Sequence, residues 1–297
     1  MIKISNSIHI LSIGIMLAIL SVPVAAVNLT LGSISGEPAN ELKYYLPVAN
    51  YLAEQLQTVG IDKGNVVVAQ NIKQMAGFIK EGKVDLYMDS PFPTLEVSQL
   101  SGSLPLLRRW KKGIGSYHSV VFVRQDSGIK SPDDLRGKVI AFEAPYSTSS
   151  YFLPKASLSK LGMKLVEVAD PKSRVNAEEI GYSFTDDDEN TLFWVLRKRT
   201  QAGAMSAASF KKLAARRIKK LSIVYSTLDV PRHIVSFRKD LDPALVTQIK
   251  KVLLKMHESK SGRKILHQFK KTTRFDEFPG GADVALKPLY ELNNYLH

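Results

Sequence analysis

The sequence contains no cysteine among its 297 residues, and acidic residues are scarce beside basic ones, 28 against 41. Without cysteine the chain forms no disulfide, has no thiol nucleophile and carries no lipid on a cysteine. Outside residues 8–24, no segment is apolar for long enough to span a membrane. The chain must therefore be stabilised by burial alone, which this length allows in one or two domains.

The apolar segment 8–24 follows Lys3 and ends in small residues. This order predicts a cleavable signal peptide over residues 1–26, with cleavage near Ala26. A membrane anchor is the alternative, but serine and proline residues interrupt the apolar run and a cleavage site follows it. We therefore expect an exported protein in a periplasm-like compartment.

Loss of Lys3 with the signal peptide lowers the formal net charge from +13 to +12. Such a charge suits nucleic acid, anionic lipid or a small anionic ligand, and export disfavours nucleic acid. Most basic clusters are short, as at residues 108–112, 197–199 and 216–220. We predict that these clusters are solvated helix ends and loops, which attract anions without forming a binding site.

Hydrophobic periodicity predicts alternating strands and helices. Residues 29–34, 65–69 and 84–88 read as strands with helices between them, and a second alternating series begins at residue 117. This alternation predicts an α/β fold in which mostly parallel sheets are flanked by helices. In such folds ligands bind at the carboxyl ends of the strands.

Two α/β units are followed by a strand at 234–237 and a long helix at 243–269, with which the chain is expected to return to the first unit. This order predicts two lobes, one of which is interrupted by the other. Residues 27–116 and 233–297 are expected to form lobe 1, and residues 117–232 to form lobe 2. The ligand cleft is expected between the lobes.

Hydroxyl residues follow a strand in the second series. Residues 138–142 have the β-branched and aromatic content of a buried strand, and Pro145 ends its pairing. We expect Ser147 or Thr148 to cap a helix whose first N–H groups bind a tetrahedral oxyanion. An ordinary helix cap is the alternative, because caps and anion sites use the same chemistry.

Several short segments of the expected mature chain share the pattern of a known family. They are residues 117–124 (YHSVVFVR), 126–129 (DSGI), 134–138 (DLRGK), 147–149 (STS) with 153–154 (LP), 189–191 (ENT), 202–204 (AGA), Pro231 and 238–241 (RKDL). On these segments the chain resembles the phosphate, phosphite and phosphonate-binding periplasmic proteins, which are solute receptors of ABC importers. The resemblance implies a type II periplasmic binding protein fold, closure by hinge motion near Tyr117 and Pro231, and an anion held by the 147–149 turn.

The family resemblance also implies a function. We expect a periplasmic receptor that binds phosphate, phosphite or a phosphonate and delivers it to an inner-membrane ABC permease. A sensory or accessory receptor that reports to a signalling protein is the alternative. We expect a monomer with no cofactor, and a ligand contacted by Tyr146, Ser147, Thr148 and Ser149.

The chain departs from the family at three loops. Asp89 and Ser90 follow the third strand, where phosphonate binders often place an aromatic hydroxyl. Residues 206–208 (SAA) and 231–233 (PRH) stand where carboxylates can hold a ligand amine, so we expect a simple oxyanion rather than a zwitterion. Arg232 and His233 are expected to balance the charge, with His233 strengthening binding when it is protonated.

Asp89 has two interpretations. Its carboxylate can accept a hydrogen bond from a P–OH group and so exclude sulfate, or it can cap a helix that begins near Pro91. Competition between phosphate and sulfate for an Asp89→Asn variant separates the two.

Motifs of enzymes and metal sites are missing from the sequence. It has no Gly-x-Ser-x-Gly elbow and no phosphate-binding Gly-Lys-Ser/Thr loop, and its histidines have no paired metal-ligand spacing. The acidic run 186–189 suits the first turn of a helix better than a calcium loop. We therefore expect neither an enzyme nor a metal protein.

Overall fold

The computed structural model describes residues 27–296, and the predicted signal peptide lies outside them. The helices are α1 Pro38–Gln55, α2 Ile72–Lys80, α3 Pro91–Ser101, α4 Leu153–Lys160, α5 Asp188–Leu196, α6 Ala207–Leu213, α7 Pro243–Lys255, α8 Lys260–Gln268 and α9 Ala282–Asn293. Among residues 27–296, none of the helices combines the length and apolar character that crossing a membrane requires.

Strands occupy fourteen segments of the same residues. They are β1 Val27–Ile34, β2 Ile61–Ala69, β3 Leu86–Asp89, β4 Leu104–Lys111, β5 Ser116–Tyr117, β6 Ser119–Arg124, β7 Val139–Phe142, β8 Lys164–Glu167, β9 Glu179–Phe184, β10 Ala202–Ser206, β11 Leu221–Ser226, β12 Val230–Pro231, β13 Ile234–Phe237 and β14 Thr272–Asp276.

Lobe 1 is built on a six-stranded sheet of order β14-β4-β13-β3-β1-β2. The strands β1, β2 and β3 are parallel, whereas β13, β4 and β14 pair antiparallel. Helices α1, α7 and α8 pack their apolar residues against this sheet around Leu31, Leu52 and Leu253. The predicted fold class is confirmed, with more antiparallel pairing in this sheet than we expected.

Lobe 2 is built on a second six-stranded sheet, of order β11-β6-β10-β7-β9-β8. Parallel pairs join β10 to β7, β7 to β9 and β9 to β8, and β6 runs antiparallel to β10 and β11. Phe142, at the end of β7, is fully buried in the core of this lobe. The carboxyl end of a central strand thus leads directly into the predicted anion-binding turn.

The two chain crossings between the lobes lie side by side. β5 pairs antiparallel with β12, so that Tyr117 faces Val230 and Ser116 faces Pro231. A two-stranded link with few hydrogen bonds is the kind of element at which hinge motion occurs. The predicted lobe boundaries at residues 116 and 232 stay a prediction.

The C-terminal helix α9 packs at the junction of the lobes. Its Leu289 belongs to one buried cluster with Phe92 of α3 in lobe 1 and with Phe152 and Leu153 of lobe 2. The rings of Phe92 and Phe152 stack with centroids 4.7 Å apart. This apolar contact joins the two lobes beside the crossings.

Several predicted elements differ from the structure. The strand expected at 117–124 is divided into β5 and β6, and the long helix 243–269 is divided into α7 and α8 by a turn. Strands β4, β9 and β14 were not predicted, because their charged and hydroxyl residues mask the strand pattern. The prediction that cluster 108–112 is solvated is wrong, since Arg108 and Arg109 are buried in β4.

Two glycines in lobe 1 provide a matched test of this packing. The backbone of α1 at Ala49 crosses β2 so closely that a Cβ at Gly64 would lie far inside contact distance of the Ala49 carbonyl group. Gly77 lies in α2 with open space beside it. We expect Gly64→Ala to lower the free energy of unfolding by about 1–3 kcal/mol through overpacking, and Gly77→Ala to raise it by roughly 0.5–1 kcal/mol.

Urea denaturation of the two variants checks this expectation. Equal midpoints for Gly64→Ala and the wild type would show that α1 does not press on β2 in solution.

Candidate functional site

A cavity of about 880 Å³ lies between the two lobes. Its wall includes residues just after the carboxyl ends of the parallel strands β1, β2, β3 and β7, as expected for an open α/β sheet. All eight residues singled out from the sequence line it. They are Asp89, Ser90, Tyr146, Ser147, Thr148, Ser149, Arg232 and His233. Their roles as ligand-binding residues stay a prediction.

The turn after β7 has the capping geometry expected from the sequence. The Ser147 Oγ accepts a hydrogen bond from the Ser150 N–H at 3.1 Å, and a π-helical turn Thr148–Phe152 leads into α4. The first helical bonds run from the N–H groups of Tyr151 and Phe152 to the Ser147 carbonyl. The N–H groups of Thr148 and Ser149 precede those bonds and lie at the positive end of the helix.

A buried serine holds this turn on the sheet. The Ser150 Oγ donates to the Ala204 carbonyl of β10 at 2.6 Å and accepts from the Glu143 N–H at 2.7 Å. Ser150 thereby ties both ends of the turn to the sheet of lobe 2. The first-turn N–H groups are consequently fixed in direction before any ligand arrives.

Thr148 connects the turn to the other lobe. Its Oγ1 accepts a hydrogen bond of 2.9 Å from the N–H of Phe92, in the first turn of α3. The hydroxyl hydrogen of Thr148 therefore remains available as a donor. The helix starts of α3 and of the π-helical turn meet at this point, beside the cavity.

The cavity contains a buried cation that the sequence analysis placed in solvent. Arg109 of β4 is 1% exposed and lines the cavity. Among residues 27–296, no hydrogen-bond acceptor reaches its Nε and Nη2 atoms, and its guanidinium carbon lies 4.2 Å from the centre of the Phe269 ring. Burial lowers the pKa of Arg109 from its ordinary value. A desolvated guanidinium in the wall of a cavity is a strong binding group for an oxyanion.

Lys111 lies two residues further along β4, on the same face, and also lines the cavity. Burial, and then the charges of Arg232, Arg109 and Lys270, lower the pKa of Lys111 to about 7. Lys270 itself is bonded to Glu41, with 2.6 Å between Nζ and Oε1. Burial and the neighbouring cations together thus leave Lys111 only about half charged at neutral pH.

Arg232 and His233 follow β12 and reach the same wall. The Arg232 guanidinium lies 4.4 Å from the Tyr117 ring centre and its Nη1 is 3.3 Å from the His233 Nδ1. Since arginine only donates, the Nδ1 of His233 accepts and its Nε2 carries the proton. Burial, together with Arg109, Arg232 and Lys111, holds the pKa of His233 well below its ordinary value. His233 is therefore neutral near neutral pH, and the expectation that it strengthens binding when it is protonated stays a prediction.

Asp89, at the end of β3, is held by its own neighbours. Its Oδ2 accepts from the Tyr87 hydroxyl at 3.0 Å and its Oδ1 from the Ser90 N–H at 2.6 Å. The N-cap of α3 is Ser90, and Pro91 occupies the first helical position. The interpretation of Asp89 as the helix cap is wrong, whereas its role in ligand selectivity stays a prediction.

A second carboxylate, which the sequence analysis did not single out, lines the cavity from the loop after β7. Glu143 follows β7 and accepts a 2.7 Å hydrogen bond from the Ser147 hydroxyl. Burial raises the pKa of Glu143, and the nearby charges of Asp188 and Asp187 raise it further. Within residues 27–296, no three His, Asp or Glu side chains are grouped to hold a metal ion.

The residues that sequence reasoning missed come mainly from lobe 1. They include Tyr45, Arg109, Lys111 and Lys270. One signal in the sequence could have identified Arg109 and Lys111. Side chains alternate between the two faces of a strand, so Leu107, Arg109 and Lys111 share one face of β4. A run of four basic residues among five hid that alternation.

Comparison with known proteins agrees with this architecture. The XAC2383 protein of Xanthomonas citri is 27% identical in a structure bound to chloride ion, with a TM-score of 0.83 over 90% of this chain and 98% of that one. A structure of the same protein bound to ATP is 26% identical, with a TM-score of 0.82 and the same coverage. PhnD1 of Prochlorococcus marinus, in complex with methylphosphonate, is 18% identical over 90% of this chain and 97% of that one, with a TM-score of 0.62, which shows the fold alone.

A family description matches most of the chain. Residues 31–279 match the ABC transporter, phosphonate, periplasmic substrate-binding protein family. The match includes both sheets, both crossings and every cavity residue named above. The chain therefore belongs to the periplasmic substrate-binding proteins of phosphonate ABC transporters.

Proposed function

We propose that this protein binds a small tetrahedral oxyanion, namely phosphate, phosphite or a phosphonate, in the cleft and delivers it to an ABC permease. The observation that carries the proposal is the buried guanidinium of Arg109, a cavity-lining residue in which two nitrogen atoms have no acceptor within the described residues. An oxyanion would supply the missing acceptors. The N–H groups and hydroxyls of the 147–149 turn would bind it from the other lobe.

The arrangement of these groups supports binding by closure. Arg109 belongs to lobe 1 and the 147–149 turn to lobe 2, so an anion that contacts both favours the closed arrangement. The paired crossings β5 and β12 are the proposed hinge. Family membership supports transport rather than sensing, and binding rather than catalysis.

Arg109→Met tests the proposal. The substitution keeps the apolar contact with Phe269 but removes the charge, so we expect oxyanion affinity to fall at least about thirtyfold. The thermal midpoint of the ligand-free protein should stay equal or rise, because a desolvated charge is removed. Calorimetric titration with phosphate and methylphosphonate measures the affinity, and small-angle scattering should show compaction by ligand only in the wild type.

Arg108→Met is the matched control. Arg108 is the neighbouring buried arginine, but its Nε and Nη2 bind Asp276 at 2.9 and 2.6 Å, and it does not line the cavity. We expect Arg108→Met to lower stability and retain affinity. Retained affinity in Arg109→Met would remove Arg109 from the site and contradict the proposal.

The low pKa of Lys111, about 7, predicts a proton linkage. A bound anion favours the charged amine and so raises its pKa. Binding above pH 7 should therefore take up a proton, and affinity should fall as pH rises from about 7 to 9. Below about pH 6 the amine is already charged and this dependence should disappear.

The ratio of wild-type to Lys111→Gln affinity isolates this effect, because the ionisation of the ligand cancels in the ratio. We expect the ratio to fall by up to about tenfold per pH unit above pH 7. A ratio that is independent of pH would show that Lys111 does not take up a proton when the ligand binds.

A nucleotide is the second candidate ligand. The cavity of about 880 Å³ is large for inorganic phosphate, and Tyr146 at its rim is 65% exposed. The related Xanthomonas citri protein is described as bound to ATP. We infer that the phosphates of a nucleotide would lie against the cationic wall while its base stacks on Tyr146.

Tyr146→Ala distinguishes the two ligand classes. Loss of stacking should lower ATP affinity about tenfold and leave phosphate affinity unchanged. Tyr295→Ala, which removes another exposed tyrosine, should change neither affinity. If ATP does not bind the wild type, or if Tyr146→Ala binds ATP as the wild type does, the nucleotide proposal fails while the oxyanion proposal is untouched.

A further inference from the structure

Lobe 2 presents a second concentration of positive charge, away from the cleft. It is formed by eight exposed cations from three segments, which we call the basic surface. Its members are Lys172, Arg197, Lys198, Arg199, Arg216, Arg217, Lys219 and Lys220. The first lies in the loop after β8, the next three follow α5, and the last four belong to a 3₁₀ helix, Ala215–Lys220. The sequence-based prediction that clusters 197–199 and 216–220 are solvated is confirmed.

Aromatic rings join and orient the arginines of this surface. The guanidinium carbons of Arg197 and Arg217 each lie 5.3 Å from the centre of the Phe193 ring. Arg199 stacks on Trp194 at 3.9 Å. These contacts bring two segments of the chain together and restrict the side chains, so less freedom is lost when the guanidinium groups bind phosphate oxygens.

The charge of the basic surface is almost uncompensated. Within residues 27–296 only Lys198 among its members lies in an ion pair, with 3.9 Å between its Nζ and the Asp126 Oδ2. A depression of about 570 Å³ is lined by Lys172, residues 197–199 and Asp170. Ile218, between Arg217 and Lys219 in the chain, is 48% exposed. The surface thus combines fixed guanidinium groups, flexible lysines, a shallow depression and one apolar contact.

From these features we propose that the basic surface docks the protein on anionic phospholipid headgroups of a membrane. Phosphodiester groups match the stacked guanidinium groups, and a bilayer offers many of them at the spacing of eight dispersed cations. An acidic protein partner is less well matched, because charge-selective protein interfaces mix both signs to fix register, whereas acids are nearly missing here. The cleft is lined by other residues, so docking and ligand binding can occur together.

Vesicle co-sedimentation of the mature protein tests the proposal. We compare phosphatidylcholine vesicles with vesicles containing about 30% phosphatidylglycerol, at low and moderate salt. The test variant carries Lys172→Gln, Arg216→Gln, Lys219→Gln and Lys220→Gln, which are exposed positions without ring contacts. The control variant carries Lys251→Gln, Lys255→Gln, Lys260→Gln and Lys264→Gln, exposed positions of α7 and α8 in lobe 1.

The wild type and the control variant should bind the anionic vesicles and should not bind the neutral ones. Their binding to the anionic vesicles should weaken as the salt concentration increases. The test variant should lose about six-hundredfold in partitioning, since each of the four removed cations contributes about fivefold near such a surface. Equal losses in both variants would show that only net charge matters, and would overturn the proposal. Inhibition of vesicle binding by soluble glycerol 3-phosphate at the same headgroup concentration would also overturn it, by showing a site for free phosphate.

Discussion

The guanidinium group of Arg109 is removed from water without a protein acceptor at two of its nitrogens, as far as the described residues show, and the arrangement of the cleft follows from that cost. Lone charges are rarely buried in protein interiors, because desolvation disfavours them by several kcal/mol. The chain retains this one by packing it on Phe269 and anchoring its backbone N–H to the His233 carbonyl. In our proposal an entering anion offsets this cost.

Burial and the positive charges around Arg109 determine the protonation state of its neighbours. Burial, and then the neighbouring cations, lower the pKa of Lys111 to about 7 and hold the pKa of His233 well below its ordinary value, while Asp89 is held by Tyr87 and the Ser90 N–H. In our proposal an arriving oxyanion offsets these positive charges, and the lysine then gains a proton. Binding strength and ligand charge would then be coupled through one wall of the cleft, while the opposite wall at the 147–149 turn offers uncharged donors.

Closure and docking use separate parts of the molecule. The stacked Phe92 and Phe152 rings and the Thr148 hydrogen bond hold the lobes together beside the crossings. In the proposed hinge motion, the lobes would rotate about β5 and β12 and keep that contact. The basic surface lies on lobe 2, so a membrane-docked protein would still be able to open and close lobe 1 over its ligand.

Local signals in the sequence were enough to predict the α/β class, the strand that ends at Phe142 and the cap at Ser147, because these depend on neighbouring residues. The eight predicted cavity residues were also brought together, since strand ends in an open sheet converge at one edge. The burial of Arg109 and Lys111 could not be predicted in the same way. A row of basic residues next to one another has the composition of a solvated loop, and it became a central strand only by pairing with β13 and β14, more than 100 residues away along the chain. Long-range pairing thus decided which charges face the ligand, because burial is a property of the assembled sheets rather than of any segment.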